Sequence, residues 1–581
     1  MNISKTAFKK YAKCNNYYPL EKIYYHQTRA NEDEDLLEVI YKMFDAETGD
    51  DLINITDKQL EAMLEYYKKV EEFACKQACK TFNKPFNYYS ETKDQTKFSY
   101  STPNHTYYSY LDCYYEDNDE AYVIEVKATT NRKFLDLLST VKKKEYRVFE
   151  KINTIIKPKK PLPIECEKAF KKLYNKDDEV GMYVYDIAIE RYIIEKSLKL
   201  ANKKVHYYLA VLNKDYIYDG NIEYSKVGGE ELINFVDVTD LTSAYLNIID
   251  DELNRIEQII FKNERNPIYC EYCNVNKKNE CQFAKVCFDN LKVQGSITEL
   301  LGSKKVNGFD IPSLIKQGYY KITDLPFCWL EKKNHIVQYN SLLNNQEFIQ
   351  KEKIQMLLDN IKYPIYHLDF EAFNCPIPRF KGERPYAQSL FQYSLHIEKE
   401  PGVCDEIYDN RYFLATSFQD QREELVKKLV ADIDLSNSGS VMVYNESYEK
   451  TRLKELAVLF PEYKAQLDNI NNHIIDLEKI VKNDKNFFLE KGYDKELAEV
   501  VNYYHPKLKG SYSIKKVLPV FTNRSYEGMN VANGCEAIAA YGAFKYSSNE
   551  EIEKIRQDLI KYCGLDTYSM VEILRGLRKV L

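Results

Sequence analysis

The chain has 581 residues, 44% of them hydrophobic, and a net charge of −7. That length supports two to four domains with sizeable cores. No apolar run approaches the roughly 18 residues that a spanning helix needs, and the acidic balance weighs against a uniformly basic nucleic-acid face, so positive surface has to be local.

The first residues, Met1-Asn-Ile-Ser-Lys-Thr, lack the apolar core of a secretion signal. A cytoplasmic protein with no membrane partner is expected, its fourteen cysteines being thiols or metal ligands rather than disulfides. Tyr110-Leu-Asp112-Cys-Tyr-Tyr and Ala121-Tyr-Val-Ile-Glu125-Val-Lys127 flank a polar turn and read as a hairpin. Glu125 and Lys127 share a face, with Asp112 on the neighbouring strand. Two acids beside a lysine suit a bound cation and an activated water; a salt-bridged hairpin is the competing reading. From Arg132 to Lys160 basic residues crowd together, Lys142, Lys143, Lys144 and Arg147 among them. They suit a phosphate backbone, or a solvated helix face in which Glu145 and Glu150 interleave. A helix is expected around Tyr183 to Tyr192, carrying Asp186 and Glu190.

Cys270, Cys273, Cys281 and Cys287 fall within eighteen residues, a spacing that points to metal. They suit a structural zinc site. The remaining cysteines, Cys75, Cys113 and Cys563 among them, read as small buried residues. Residues from Ser296 to Asp359 read as a helical connector with glycines at its turns. Tyr363-Pro-Ile-Tyr-His-Leu-Asp369-Phe-Glu371 then ends an apolar strand in two carboxylates on one face. Paired buried charges need compensation, and Mg²⁺ or Mn²⁺ with oxygen ligands supplies it. Tyr386 to His396 alternates like the partner strand of a hairpin. Val441 to Tyr444 is a further strand, followed by Glu449 one helical turn beyond Asn445. Asp476 reads as a helix cap, with a metal-ligand role as the competing reading. Lys515, in Ser511-Tyr-Ser513-Ile-Lys515, suits a phosphate contact or plain solvation. Helical spacing places Tyr562 and Asp566 on one face of a late helix.

The later motifs resemble the DnaQ-like exonucleases of the ribonuclease H superfold, in their tyrosine subclass. The resemblance implies that Asp369, Glu371, Glu449 and Asp566 hold two Mg²⁺ or Mn²⁺ ions and that Tyr562 orients the attacking water. Glu449 stands where that family usually has Asp. Asp112 with Glu125-Val-Lys127 resembles the PD-(D/E)XK core of RecB-like nucleases, which implies catalytic roles for all three and metal contacts for Asp112 and Glu125. Glu190 stands where that branch usually has Gln, and the early helix from Asp57 to Cys79 has no histidine. Cys14 with Cys273, Cys281 and Cys287 resembles the iron–sulfur branch, implying a 4Fe-4S cluster in place of zinc. Taken together, the chain resembles a bacterial family catalogued as domain of unknown function 2779.

The expected fold is α/β, with two mixed-sheet nuclease domains, restriction-endonuclease-like and then ribonuclease H-like. The expected spans are 1–290 for the first domain, 291–360 for a connector resembling a helix-hairpin-helix, and 361–581 for the exonuclease. The implied function is hydrolysis of DNA or RNA phosphodiesters, 3′-5′ in the C-terminal half and by an iron–sulfur nuclease in the N-terminal half. One alternative makes only the C-terminal half active, on RNA or short oligonucleotides. Another is a catalytically weak nucleic-acid-binding scaffold.

Overall fold

A computed structural model describes residues 1–24, 57–277 and 280–581. The chain is mixed α/β and divides into two compact units. Among the described residues the first holds 1–24, 63–267 and 375–387, and the second is chiefly 268–374 and 388–581. The boundary at 267/268 puts Cys14 in the first unit and Cys270, Cys273, Cys281 and Cys287 in the second. It also joins the connector to the sheet-forming stretch that follows it. No helix among the described residues is long and apolar enough to cross a membrane.

In the first unit, β1 (Asn2–Ser4) leads into α1 (Lys5–Lys13), and α2 (Asp57–Phe82) precedes the strands. β1 pairs parallel with β3 (Thr106–Leu111), itself antiparallel to β2 (Thr96–Ser101). A six-stranded sheet follows, built from β4 (Cys113–Glu116), β5 (Glu120–Thr130), β6 (Phe149–Ile152), β7 (Ile155–Pro158), β8 (Lys204–Leu212) and β9 (Ile233–Asp237). Its order is β4-β5-β8-β9-β7-β6. The expected hairpin is β4 with β5. α3 (Gly181–Ser197) is buried on almost every side, as its near-continuous apolar sequence requires.

Two expectations are corrected here. The basic stretch forms hairpins, Leu138–Val141 with Lys144–Arg147 and β6 with β7, rather than a helix. Lys142 and Lys143 take positive φ and close the first as a tight turn. Its charges are largely paired: Arg147 reaches Asp136 and Glu145, Lys157 reaches Glu150, and Lys160 reaches Asp240. Cys75 and Cys113 are disulfide-bonded, not thiols, with Cα atoms 5.8 Å apart. α2 packs Cys75 beside β4 within bridging distance, a proximity that a separation of 38 residues hides from local pattern.

The second unit has a five-stranded sheet of β10 (Ile365–Phe373), β11 (Ser389–Glu398), β12 (Asn410–Leu414), β13 (Ser440–Val443) and β14 (Ile474–Asp476). Its order is β12-β11-β10-β13-β14, antiparallel from β12 to β10 and parallel from β10 to β14. β10 is central and buried along nearly its whole length, as a strand covered on both faces should be. α4 (Glu446–Leu459) follows β13; α5 (Ile514–Phe521) and the 32-residue α6 (Asn549–Val580) complete the layer. On α6, Leu559, Cys563, Asp566, Met570, Leu574 and Leu577 form the buried stripe, and the helix lies against β10 and β11. Gly576 permits close packing of α5 on α6: a Cβ there would meet the Phe521 ring at 2.6 Å.

Candidate active site: an acid pocket on the central strand

Period-two geometry sends Asp369 and Glu371 of β10 to one side, and a register irregularity follows directly after Glu371. Bulges of this kind re-aim side chains next to functional sites. α6 supplies the facing wall. It is fixed to the sheet by Thr567, whose hydroxyl lies 2.8 Å from both Ser394 Oγ and His396 Nδ1. Gln392 Nε2 adds a bond of 2.9 Å to the Leu559 carbonyl. This anchoring places Tyr562, Cys563 and Asp566 above the strand.

The third wall comes from the turn between β13 and α4. Asn445 there adopts a left-handed conformation, φ +75°, which Asn tolerates better than most residues. Asp476 holds that turn: its carboxylate accepts from the backbone N–H of Asn445 (3.1 Å) and Glu446 (3.2 Å). It also caps the following helix through the Glu478 N–H at 2.9 Å. Asp476 is therefore a cap that presents Glu449 from the first turn of α4.

Asp369, Glu371, Glu449, Tyr562 and Asp566 line one cavity of about 640 Å³. Ligand atoms of Asp369, Glu371 and Cys563 all lie within 4.8 Å of one another. Glu449 is 2% exposed, and its Oε2 is buried with no hydrogen-bond partner. Burial first, and the Asp369 charge second, push its carboxyl well above the usual range. An acid so placed asks for a cation. Burial, then Asp566, Glu371 and Asp369, likewise raise the Tyr562 phenol. Tyr562 is thus a protonated donor.

Two neighbours escape sequence reading. Tyr526 donates to Asp566 Oδ1 at 2.6 Å and is buried beside the Tyr562 ring. It lies outside any periodic element, so no local signal marks it. Cys563, expected to be a plain core residue, has its Sγ 3.5 Å from Asp369 Oδ2. Burial and the Asp369 charge keep it a neutral thiol, which suits orienting Asp369 better than ligating a hard ion. Lys515 lies over the Tyr526 and Tyr562 rings at 5.2 and 5.6 Å. Lys304 and Lys482 also line the cavity.

In the first unit, Asp112, Glu125 and Lys127 do come together. Lys127 Nζ is 2.8 Å from Glu125 Oε1 and also pairs with Asp186, while Asp112 Oδ2 accepts from the Val126 N–H at 2.8 Å. Lys5 joins them, 2.7 Å from Glu125 Oε1 and 2.7 Å from Glu190 Oε1, and Lys9 lies 3.0 Å from Asp186. Burial opposes ionisation of Glu125, but Lys127 and Lys5 override it and hold its pKa at about 2. Burial, then the Glu125 charge, pushes Glu190 up to about 8. Lys5 and Lys127 thus pair with one oxygen of Glu125, while Glu125 Oε2 and Glu190 Oε2 stay buried without a hydrogen-bond partner. Lys5 and Lys9 were invisible as partners because they lie more than a hundred residues from the motif.

In the second unit, the Cys270 and Cys273 sulfurs are 3.8 Å apart, and the Cys281 N–H donates to the Cys273 carbonyl at 3.1 Å. Cys281 and Cys287 pack on the same apolar cluster as Val275 and Leu291. Two thiolates on one tetrahedral zinc, each at about 2.3 Å, are separated by about 3.8 Å.

These features define an α/β protein with a buried polyacid pocket at its central strand. Residues 366–513 match the family model described as domain of unknown function 2779. The match includes Asp369, Glu371 and Glu449 and ends before Tyr562. Uncharacterized protein UU173 of Ureaplasma parvum is 22% identical over 542 residues, covering 81% of this chain and 75% of that protein. Uncharacterized protein MG366 of Mycoplasma genitalium is 24% identical over 274 residues, 44% of this chain and 36% of that protein. Its Mycoplasma pneumoniae homolog is 24% identical over 293 residues, 47% and 40% respectively. No solved structure matches.

Proposed function

We propose that the second unit is a metal-dependent phosphodiesterase that trims DNA or RNA from 3′ ends. The carrying observation is the gathering of Asp369, Glu371, Glu449 and Asp566 in one cavity with a buried, unpartnered Glu449 oxygen. A mixed sheet with its first strand central, its second antiparallel and its fourth and fifth parallel supports the ribonuclease H-like part of the reading. The four acids would hold Mg²⁺ or Mn²⁺, and divalent ions there supply an activated water and stabilise the leaving oxygen. Tyr562 donates its phenol proton to orient the attacking water. Lys515, Lys304 and Lys482 offer positive charge to the phosphates.

The version in which this pocket alone is active draws on Lys5 and Lys127, which pair with one oxygen of Glu125. The first unit then grips substrate. For the cysteines, the 3.8 Å separation of Cys270 and Cys273 suits two ligands of one zinc, with Cys281 and Cys287 as the other two; the iron–sulfur grouping of Cys14, Cys273, Cys281 and Cys287 is the competing assignment. One zinc per chain is expected on metal analysis; iron and sulfide in equal amounts would reverse that assignment.

The test is digestion of 3′- and 5′-labelled DNA and RNA strands with Mg²⁺ or Mn²⁺. Wild type should release nucleotides from 3′ ends, and Asp369→Ala should lower the rate by roughly 100- to 1,000-fold or more. Lys127→Ala should leave 3′ trimming in place. A separate activity lost in Lys127→Ala would restore the two-nuclease form. No digestion by wild type under either metal would leave the scaffold reading.

A further inference from the structure

Part of the pocket wall comes from the connector: Leu300, Leu301, Gly302 and Lys304 line it. This wall is a built structure. Gln338, fully buried, accepts from the Leu301 N–H at 2.7 Å and donates to the Glu299 carbonyl at 3.0 Å. His335, 1% exposed, bonds through Nε2 to the carbonyls of Leu301 (3.1 Å) and Ser303 (3.0 Å). Gly510, with φ +73°, lets the 511–513 stretch close against it; a Cβ there would meet the Glu299 oxygen at 2.0 Å. Two buried polar side chains and a glycine contact are thus committed to the backbone of one short surface loop. Its outward product is Lys304, folded back to donate to the Leu300 carbonyl.

Lys482 lines the same cavity. Its pairing with Glu478, 2.9 Å and one helical turn apart, is half exposed, and a pair of that kind contributes little and exchanges readily. Ser513 Oγ, also in the lining, is buried without a hydrogen-bond partner. Two divalent ions would cancel the four acids, leaving the lysines as net positive charge for further phosphates. Size adds a constraint. A volume of 640 Å³ falls within the roughly 300–1,000 Å³ of sites that hold one small molecule, room for a terminal nucleotide and not for a duplex.

We propose that the connector loop at residues 300–304, with Lys482, is a strand-holding subsite that admits a single-stranded nucleic-acid end and excludes duplex. The proposal rests on the phosphodiesterase reading for its substrate class. Lys304 and Lys482 contact phosphates away from the bond to be cleaved, and the buried Leu300 fixes the loop to the core beneath them. These residues position substrate and take no part in the chemistry.

The test is fluorescence anisotropy of labelled single-stranded hexanucleotides of DNA and of RNA, with a blunt duplex as comparison. It is run across salt concentrations with Ca²⁺ present, using the full chain. Single strands should bind at least tenfold more tightly than duplex. Lys304→Gln and Lys482→Gln should each weaken binding and reduce the slope of log K against log salt by about 0.7, the value for one lost single-strand phosphate contact. Lys304→Arg, which keeps the charge, should restore the slope. Unchanged affinity and slope in both glutamine variants, or duplex bound as well as single strand, would overturn the subsite. Wild-type turnover of a chromogenic phosphodiester with Mg²⁺ reads the underlying activity separately: turnover with unaltered binding in the variants sinks only the subsite. Altered binding without turnover sinks only the phosphodiesterase. The DNA and RNA arms assign the sugar.

Discussion

Glu449 carries the clearest cost at the level of single residues: a buried carboxylate with one oxygen unpartnered. Burial and Asp369 raise its pKa well above the ordinary 4.5, so ionisation is harder in the folded than in the unfolded chain. A raised acid takes up a proton on folding, and its contribution to stability falls as pH rises above about 4.5. Glu449→Gln removes that penalty. In metal-free protein the variant should match wild type near pH 4 and exceed it in stability by about 1–3 kcal/mol at pH 8, read by urea unfolding at both pH values. Its activity should be lost, the trade expected where a strained site is kept for function. A core residue without functional cost would show the opposite, with loss of stability at every pH. Tyr526 is the complementary case. Tyr526→Phe deletes the 2.6 Å bond to Asp566 and should destabilise by about 1.5–3 kcal/mol, the range for a bond to a charged group. It should also raise the Mg²⁺ concentration needed for half-maximal activity, because Asp566 loses its orientation.

At the scale of elements, the site was legible where its residues share one local period. Asp369 and Glu371 could be paired from strand alternation, and Tyr562 with Asp566 from helical spacing, because each pair sits within one element. The turn after β13 was legible from an apolar run that stops at Asn445. What stayed hidden depends on packing between elements: Tyr526 on Asp566, Cys563 on Asp369, Lys5 on Glu125, and the Cys75–Cys113 bridge. None has a periodic signature, and each joins residues 38 or more positions apart. The basic stretch misled for a related reason, since alternating lysines and glutamates fit a solvated helix and a two-stranded hairpin alike. Docking of α6 on β11 gives a test at this scale. Burial pushes His396 down to about 4, while an unfolded histidine titrates near 6.5. A depressed histidine contributes stability that is complete above about pH 6.5 and lost as pH falls toward 4. Wild type should lose up to about 3 kcal/mol across that window. His396→Asn should flatten the slope, as followed by unfolding midpoints at pH 7 and pH 4.5.

For the whole molecule, the two units allow a measurement confined to one of them. Trp329 is the single tryptophan of the chain, and it packs against Phe309 and Tyr319 within the second unit. Its fluorescence therefore follows the unit that carries the acid pocket, while circular dichroism follows both. A ligand that binds only the folded state adds RT ln(1 + [L]/Kd) to stability, about 2.7 kcal/mol at a hundredfold excess over Kd. Mg²⁺ or Mn²⁺ should therefore raise the unfolding midpoint seen by Trp329, in a concentration-dependent way. Asp369→Asn combined with Glu371→Gln should abolish the rise, because amides keep the shape of the pocket and lose the charge that attracts the ion. That double variant should itself start from a higher metal-free midpoint, since it no longer crowds two carboxylates within 4.8 Å of each other. Zinc retained by the cysteines would contribute equally to both proteins, so it leaves the difference between them unchanged. A Trp329 midpoint indifferent to Mg²⁺ and Mn²⁺ in wild type would mean that the pocket does not bind these ions in the folded protein, and the phosphodiesterase reading would fall with it.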